Sequence, residues 1–174
     1  MALSKVDAAN FLTGTIPSGN VANATLNAVT TLPGAIATGK VLQVVQTSST
    51  STFSTTSTSM SEMINCSITP ASSSNKILIH FSTNCQIVGS GNAYGRATVY
   101  RGTTSGTDLG AKIGGLASGT NNDSMLTGVY LDSPSTASSQ QYTLAMSTAS
   151  GSTTSAGNDS RMTNLILMEI EGWL

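Results

Sequence analysis

Charge is scarce in this chain, and the shortage limits its fold more than any other feature. Seven Lys and Arg stand against eight Asp and Glu in 174 residues, 9% of the sequence, where soluble domains average about 25%. A solvent-facing helix needs a polar face opposite its apolar stripe, and too few Glu, Lys and Arg are present to clothe long helices. Ser and Thr fill the gap at roughly 30% of the chain. Thr, Val and Ile, branched at Cβ, fit a pleated strand and lose rotamer freedom in a helix. A chain of this length buries about two thirds of its unfolded surface around one core, so neither a disulfide nor a metal is needed to hold it together.

The same charge balance excludes several functions. A net charge of −1 without a basic run leaves no footprint for phosphate neutralisation, so nucleic-acid binding is not expected. The N-terminus "MALSKVDAANFLTG" has no uninterrupted apolar core of a signal peptide, and no window approaches about 18 consecutive apolar residues. The expectation is synthesis in the cytoplasm and no membrane insertion. Cys66 and Cys85 lack C-x-x-C spacing and read as small buried hydrophobes, with a disulfide between them left open.

Two regions differ in pattern. Over residues 1–40 the apolar positions follow no period of 2 or 3.6, and Gly14, Pro17 and Gly19 stop any helical turn early. That tract reads as an extended arm whose order is borrowed from a partner, with Leu3, Phe11, Leu12, Ile16, Val21 and Leu26 as anchors. Residues 41–174 read as strands separated by turn chemistry. In "KILIHFSTNCQIV", Ile77, Ile79 and Phe81 face one side and Leu78 and His80 the other. In "RATVYRG", Ala97 and Val99 separate from Arg96, Thr98 and Tyr100. In "QQYTLAMST", Tyr142, Leu144 and Met146 align. The Gly-rich "GSGNAYG" reads as a turn, and "GTTSGTDLGAKIGGLASGTNND" as a long loop. About eight such strands with Gly, Ser, Asn and Asp loops point to an antiparallel β-sandwich of jelly-roll type.

The last element, "RMTNLILMEIEGWL", is apolar on both faces, which implies cover on both sides. A neighbouring subunit is the expected cover, with Leu165 and Leu167 at the oligomer interface. A short C-terminal helix is the alternative, because the same residues also match i, i+3, i+4 spacing.

Catalytic signals are few. The single histidine, His80, lies within an apolar strand, and no G-x-S-x-G accompanies it. It lacks the companions of a metal site. Glu169 and Glu171, two apart on one strand, point the same way and form the one candidate carboxylate pair for glycoside cleavage. The Asp, Asn and Gly clusters have no EF-hand spacing and read as turns. No catalytic residue, metal or cofactor is expected. Tyr94, in the Gly-rich turn, offers a face for stacking on a sugar.

The order of "FLTGTIPSGNVANATLNAVTTLP", "GKVLQVVQ", "STFSTTSTS", "SITPASSSNKILI", "VYRG", "VYLDSP", "YTL" and "LILMEI" resembles a domain found in virion structural proteins of tailed bacteriophages, notably at the ends of fibres. The resemblance covers nearly the whole chain. It implies a non-enzymatic β-rich module, a homotrimer displayed on the virion and often involved in host attachment. No shaft precedes the arm, so a capsid decoration, cement or head-fibre protein is the first expectation, with the arm seated on the major capsid protein or another virion protein. A tail-fibre tip that binds a host surface glycan through Tyr94 is the alternative. A polysaccharide depolymerase using Glu169 and Glu171 is the third.

Overall fold

The computed structural model describes residues 40–89, 92–110, 113–118, 122–149 and 151–172. The expected arm and its six anchors, Leu3, Phe11, Leu12, Ile16, Val21 and Leu26, lie outside the described residues. Eleven strands account for most of the rest: β1 (Val41–Ser49), β2 (Phe53–Thr55), β3 (Ser61–Ile68), β4 (Lys76–Val88), β5 (Asn92–Arg101), β6 (Thr107–Asp108), β7 (Ile113–Ser118), β8 (Asn122–Asp132), β9 (Gln140–Thr148), β10 (Thr153–Ala156) and β11 (Thr163–Ile170). Every pairing between them is antiparallel. No helix among the described residues is long and apolar enough to cross a membrane.

The strands form two sheets, and several short segments share one line. β8 runs along one edge of β4 from Ile77 to Ile87, so both remaining partners of β4 must use its other edge. β11 pairs there with Lys76 to Ser82 and β10 with Gln86 to Val88. The two are therefore one strand interrupted by residues 157–162. β1 against β11 and β2 against β10 repeat the interruption in the next line, and β6 and β7 share the line beside β5. Eleven segments thus occupy eight lines, in the orders β8, β4, β11/β10, β1/β2 and β3, β9, β5, β6/β7.

Side-chain chemistry marks the break in the first sheet. Asn84 of β4 lies opposite the interruption, and its Oδ1 accepts a 2.7 Å hydrogen bond from the Gly157 amide. Gly157 has φ of 71°, and a Cβ there would stand 2.3 Å from the Ser51 carbonyl oxygen, so only glycine fits this turn. Asp159 and Ser160 follow with φ of 56° and 58°, a left-handed course that bends the chain over Asn84 and leaves it 3% exposed.

One hydrophobic core lies between the sheets. Ile77, Ile79, Phe81, Cys85 and Ile87 of β4 meet Ala97 and Val99 of β5, and Tyr142, Leu144 and Met146 of β9. The alternation expected for these strands therefore holds. Cys66 and Cys85 are both buried and free. Burial, with Asp123 adding to it, pushes the Cys85 thiol up to about 11, which removes its nucleophilic character at neutral pH.

Leu165 and Leu167 do not stand at a surface. Both are fully buried within the chain's own core. Leu165 pairs with Phe81 and Leu167 with Ile79, and directly paired residues project to the same side of a sheet. Register with β4 therefore turns them inward. The C-terminal segment is strand, not helix. The segment expected to be one long loop contains β6 and β7, because β5 offers a free edge on which glycine-rich chain pairs without crowding. Tyr94 lies within β5, not in a turn, with Leu116 and the Gly95–Thr148 pairing fixing its neighbourhood.

Candidate functional site

Apart from its core, the first sheet has a second apolar face, directed outward. Antiparallel register carries one row across all four lines: Val44, Met168, Leu78 and Leu131. The next row reads Gln46, Ile166, His80 and Val129. Val129 is 63% exposed, Val44 56% and Leu131 50%, so these are open side chains rather than partly covered core. Where β1 begins, a register shift between Val41 and Gln43 places Val41 and Leu42 at the border, and both are exposed. Met125 extends the apolar surface along β8. An extended exposed apolar area of this kind marks an interaction surface more often than scattered single residues do.

Polar groups bound it. Ser48, Asn164, Ser82 and Thr127 form the row beyond His80. Gln46 donates to Asn164 Oδ1 at 3.0 Å, and the His80 ring nitrogen stands 3.4 Å from the Thr127 hydroxyl. Charged groups stand at the two ends of the strands. At one end are Lys76 and the Lys40–Glu171 pair at 3.9 Å. At the other, Arg161 holds Asp123 at 2.8 Å and Asp159 at 3.7 Å. A cavity of about 250 Å³ beside that second cluster is lined by Asn84, Asp123, Ser124, Met125 and Arg161.

The carboxylates singled out in the sequence do not form a pair over a cleft. Glu169 projects inward with Leu165 and Leu167 and is fully buried. Its Oε1 accepts from the Ala71 amide at 2.7 Å and from Asn75 Nδ2 at 2.5 Å, and its Oε2 from Gln43 at 2.5 Å. Burial by itself would raise its pKa, but the hydrogen bonds from Asn75, Gln43, Ala71 and Ser72 outweigh it and hold the carboxyl below the usual range. Glu169 thus fastens the 69–75 loop to the end of the sandwich, while Glu171 lies past β11 and pairs with Lys40. A carboxylate so enclosed and saturated has no lone pair directed at a substrate.

A second buried acid was not apparent in the sequence. Asp132, at the end of β8, accepts from the Tyr142 hydroxyl at 2.7 Å and from Arg101 Nε at 2.8 Å, with a further contact from Arg101 Nη2 to Oδ1. Arg101 lies on β5 and Tyr142 on β9, so this cluster ties one sheet to the other. Burial and then the bond to Asp132 push the Tyr142 phenol well above its ordinary pKa, so the proton stays on its oxygen.

Tyr94, the expected sugar-stacking residue, carries the Arg96 guanidinium 4.1 Å from its ring centre. One face of the ring is therefore occupied within the chain. Among the described residues, no group of three or more His, Cys, Asp or Glu stands where it could hold a metal ion.

No known family model matches the chain, and no curated protein does. Among solved structures it is similar to the infectious bursal disease virus VP2 subviral particle, with a TM-score of 0.36 and 12% identity over 75% of this chain and 38% of that one. It is also similar to T=1 particles derived from the same virus, with a TM-score of 0.37 and 13% identity over 76% of this chain and 37% of that one. The chain spans under two fifths of the length of these proteins. Likeness at this level carries no argument about fold or function.

Proposed function

We infer that the protein is a non-enzymatic virion structural component of the tailed-phage kind, a jelly-roll knob on an N-terminal assembly arm that decorates the capsid. The observation that carries this reading is the strand order. Eight strand lines divide into two four-line sheets, and β2 to β3, β3 to β4, β4 to β5, β7 to β8, β8 to β9 and β9 to β10 each cross from one sheet to the other. Such alternation between sheets supports the reading as a double-sheet jelly roll, a fold used by viral shell and lectin domains. Fold alone does not assign function. The further support is the resemblance of the ordered sequence segments to phage virion proteins, together with the large apolar outer face.

Removing residues 1–33 tests the capsid reading. The truncated protein is expected to keep its far-ultraviolet circular dichroism and lose attachment to particles. Retained attachment contradicts the role given to the arm. Gold labelling of intact particles separates the two locations: label over the head is the expected result, and label confined to the tail overturns the capsid assignment in favour of a fibre tip.

A further inference from the structure

We propose that the outer face of the β8, β4, β11/β10, β1/β2 sheet is where a second copy of this chain packs, sheet on sheet, about a two-fold axis running across the strands. The inference stands independently of the virion reading, since it concerns only the isolated protein.

The area fits. Four lines about 4.8 Å apart and four alternate positions about 6.8 Å apart give roughly 500 Å² in plan before side-chain relief is added. A standard interface buries about 800 Å² per partner, so the face supplies the right order of surface only when most of it is used. Its two central rows contain no Asp, Glu, Lys or Arg, so two copies meet there without desolvating a formal charge, the condition under which apolar burial is least opposed.

The ends of the strands choose the orientation. At the β4 start, Lys76 and the Lys40–Glu171 pair leave an excess of positive charge on the outer side; Glu169 and Asp132, the other acids at that end, are turned inward and bonded, Asp132 to Arg101 and Tyr142. At the opposite end, Asp123 and Asp159 outnumber Arg161. A two-fold across the strands exchanges the ends and sets Lys76 of one copy over the Asp159 side of the other. A two-fold along the strands sets like ends together. The 157–162 turn, which rises over Asn84, points the same way: with ends exchanged, the two turns lie at opposite borders and do not collide. The resemblance to fibre domains implies threes, whereas this face specifies a pair.

The test is sedimentation of the full chain over a concentration series, with variants on the face and at its ends. The unmodified protein is expected to form dimers. Val129→Lys and Met168→Lys, each checked for a cooperative thermal transition, are expected to weaken association by at least about tenfold, which corresponds to a loss of ~1.4 kcal/mol. Lys76→Glu and Asp159→Lys are each expected to weaken it, and the double charge exchange to restore it. A protein that stays monomeric throughout overturns the proposal, as does a dimer or trimer that both face variants leave intact. Failure of the double variant to recover overturns the two-fold across the strands. None of these results depends on particle attachment, so they fail or succeed separately from the arm deletion.

Discussion

The two faces of the first sheet are built from the same four lines, yet each mixes apolar with polar residues. The sealed inner face contains Asp132, Glu169, Thr83 and Thr163, all buried. The open outer face carries Val44, Val129, Leu131 and Met168 in adjoining rows. What distinguishes these four inner polar residues is that each has a partner, whereas the Thr154 hydroxyl, buried on the same face, has none. Thr83 and Thr163 share a 2.8 Å hydrogen bond, Asp132 is held by Arg101 and Tyr142, and Glu169 by Asn75, Gln43 and Ala71. A buried polar group costs little once paired and much when orphaned. The inner face is thus core despite its acids, and the outer face is open despite its leucine and valine.

Breaking the inner face is expected to have the largest effect. Asp132→Ala leaves the Tyr142 hydroxyl and the Arg101 guanidinium without their acceptor, and loss of one partner from a buried charge pair costs about 3–5 kcal/mol. The lower end is expected because Arg101 is 28% exposed; urea denaturation measures it. Gly95→Ala comes next. A Cβ at Gly95 would stand 2.7 Å from both the Cys85 sulfur and the Thr154 methyl, and such overpacking costs about 1–3 kcal/mol.

Glu169 sharpens the comparison through pH. Its folded pKa is lowered, so its contribution to stability is fully present above the ordinary glutamate range and is lost as pH falls through the folded value. Denaturation midpoints taken from neutral to acid pH are expected to fall steeply for the native chain. In Glu169→Gln, which is less stable at neutral pH, they are expected to fall less steeply over the same interval. The smallest effect belongs to the outer face: Val129→Thr is expected to change monomer stability by no more than about 0.5 kcal/mol, as for an exposed site away from any cap or network.

Much of the inner face is legible in the sequence, because "KILIHF" and "QQYTLAM" alternate cleanly and their inward residues are those the core uses. The direction of β11 is not. "LILM" is apolar on both sides, so alternation fixes two faces without saying which is sealed, and only register with β4 turns Leu165 and Leu167 inward and leaves Ile166 and Met168 out. The β11 residues on the outer face are therefore the neighbours of those expected at an interface. β10 is equally hidden, since "TTSA" has no apolar signal and becomes a strand only between β4 and β2. The interruption at residues 157–162 depends on a contact between Asn84 and Gly157, which no local pattern records.

The most direct test compares two adjacent residues of β11, replaced one at a time by lysine, by thermal unfolding at a concentration where both proteins are monomeric. Leu167→Lys is expected to abolish the cooperative transition, because it places an unpaired charge beside Ile79 in the core. Met168→Lys is expected to keep that transition near the temperature of the unmodified monomer. The reverse result, a retained transition for Leu167→Lys and a lost one for Met168→Lys, would contradict the assignment of sealed and open faces.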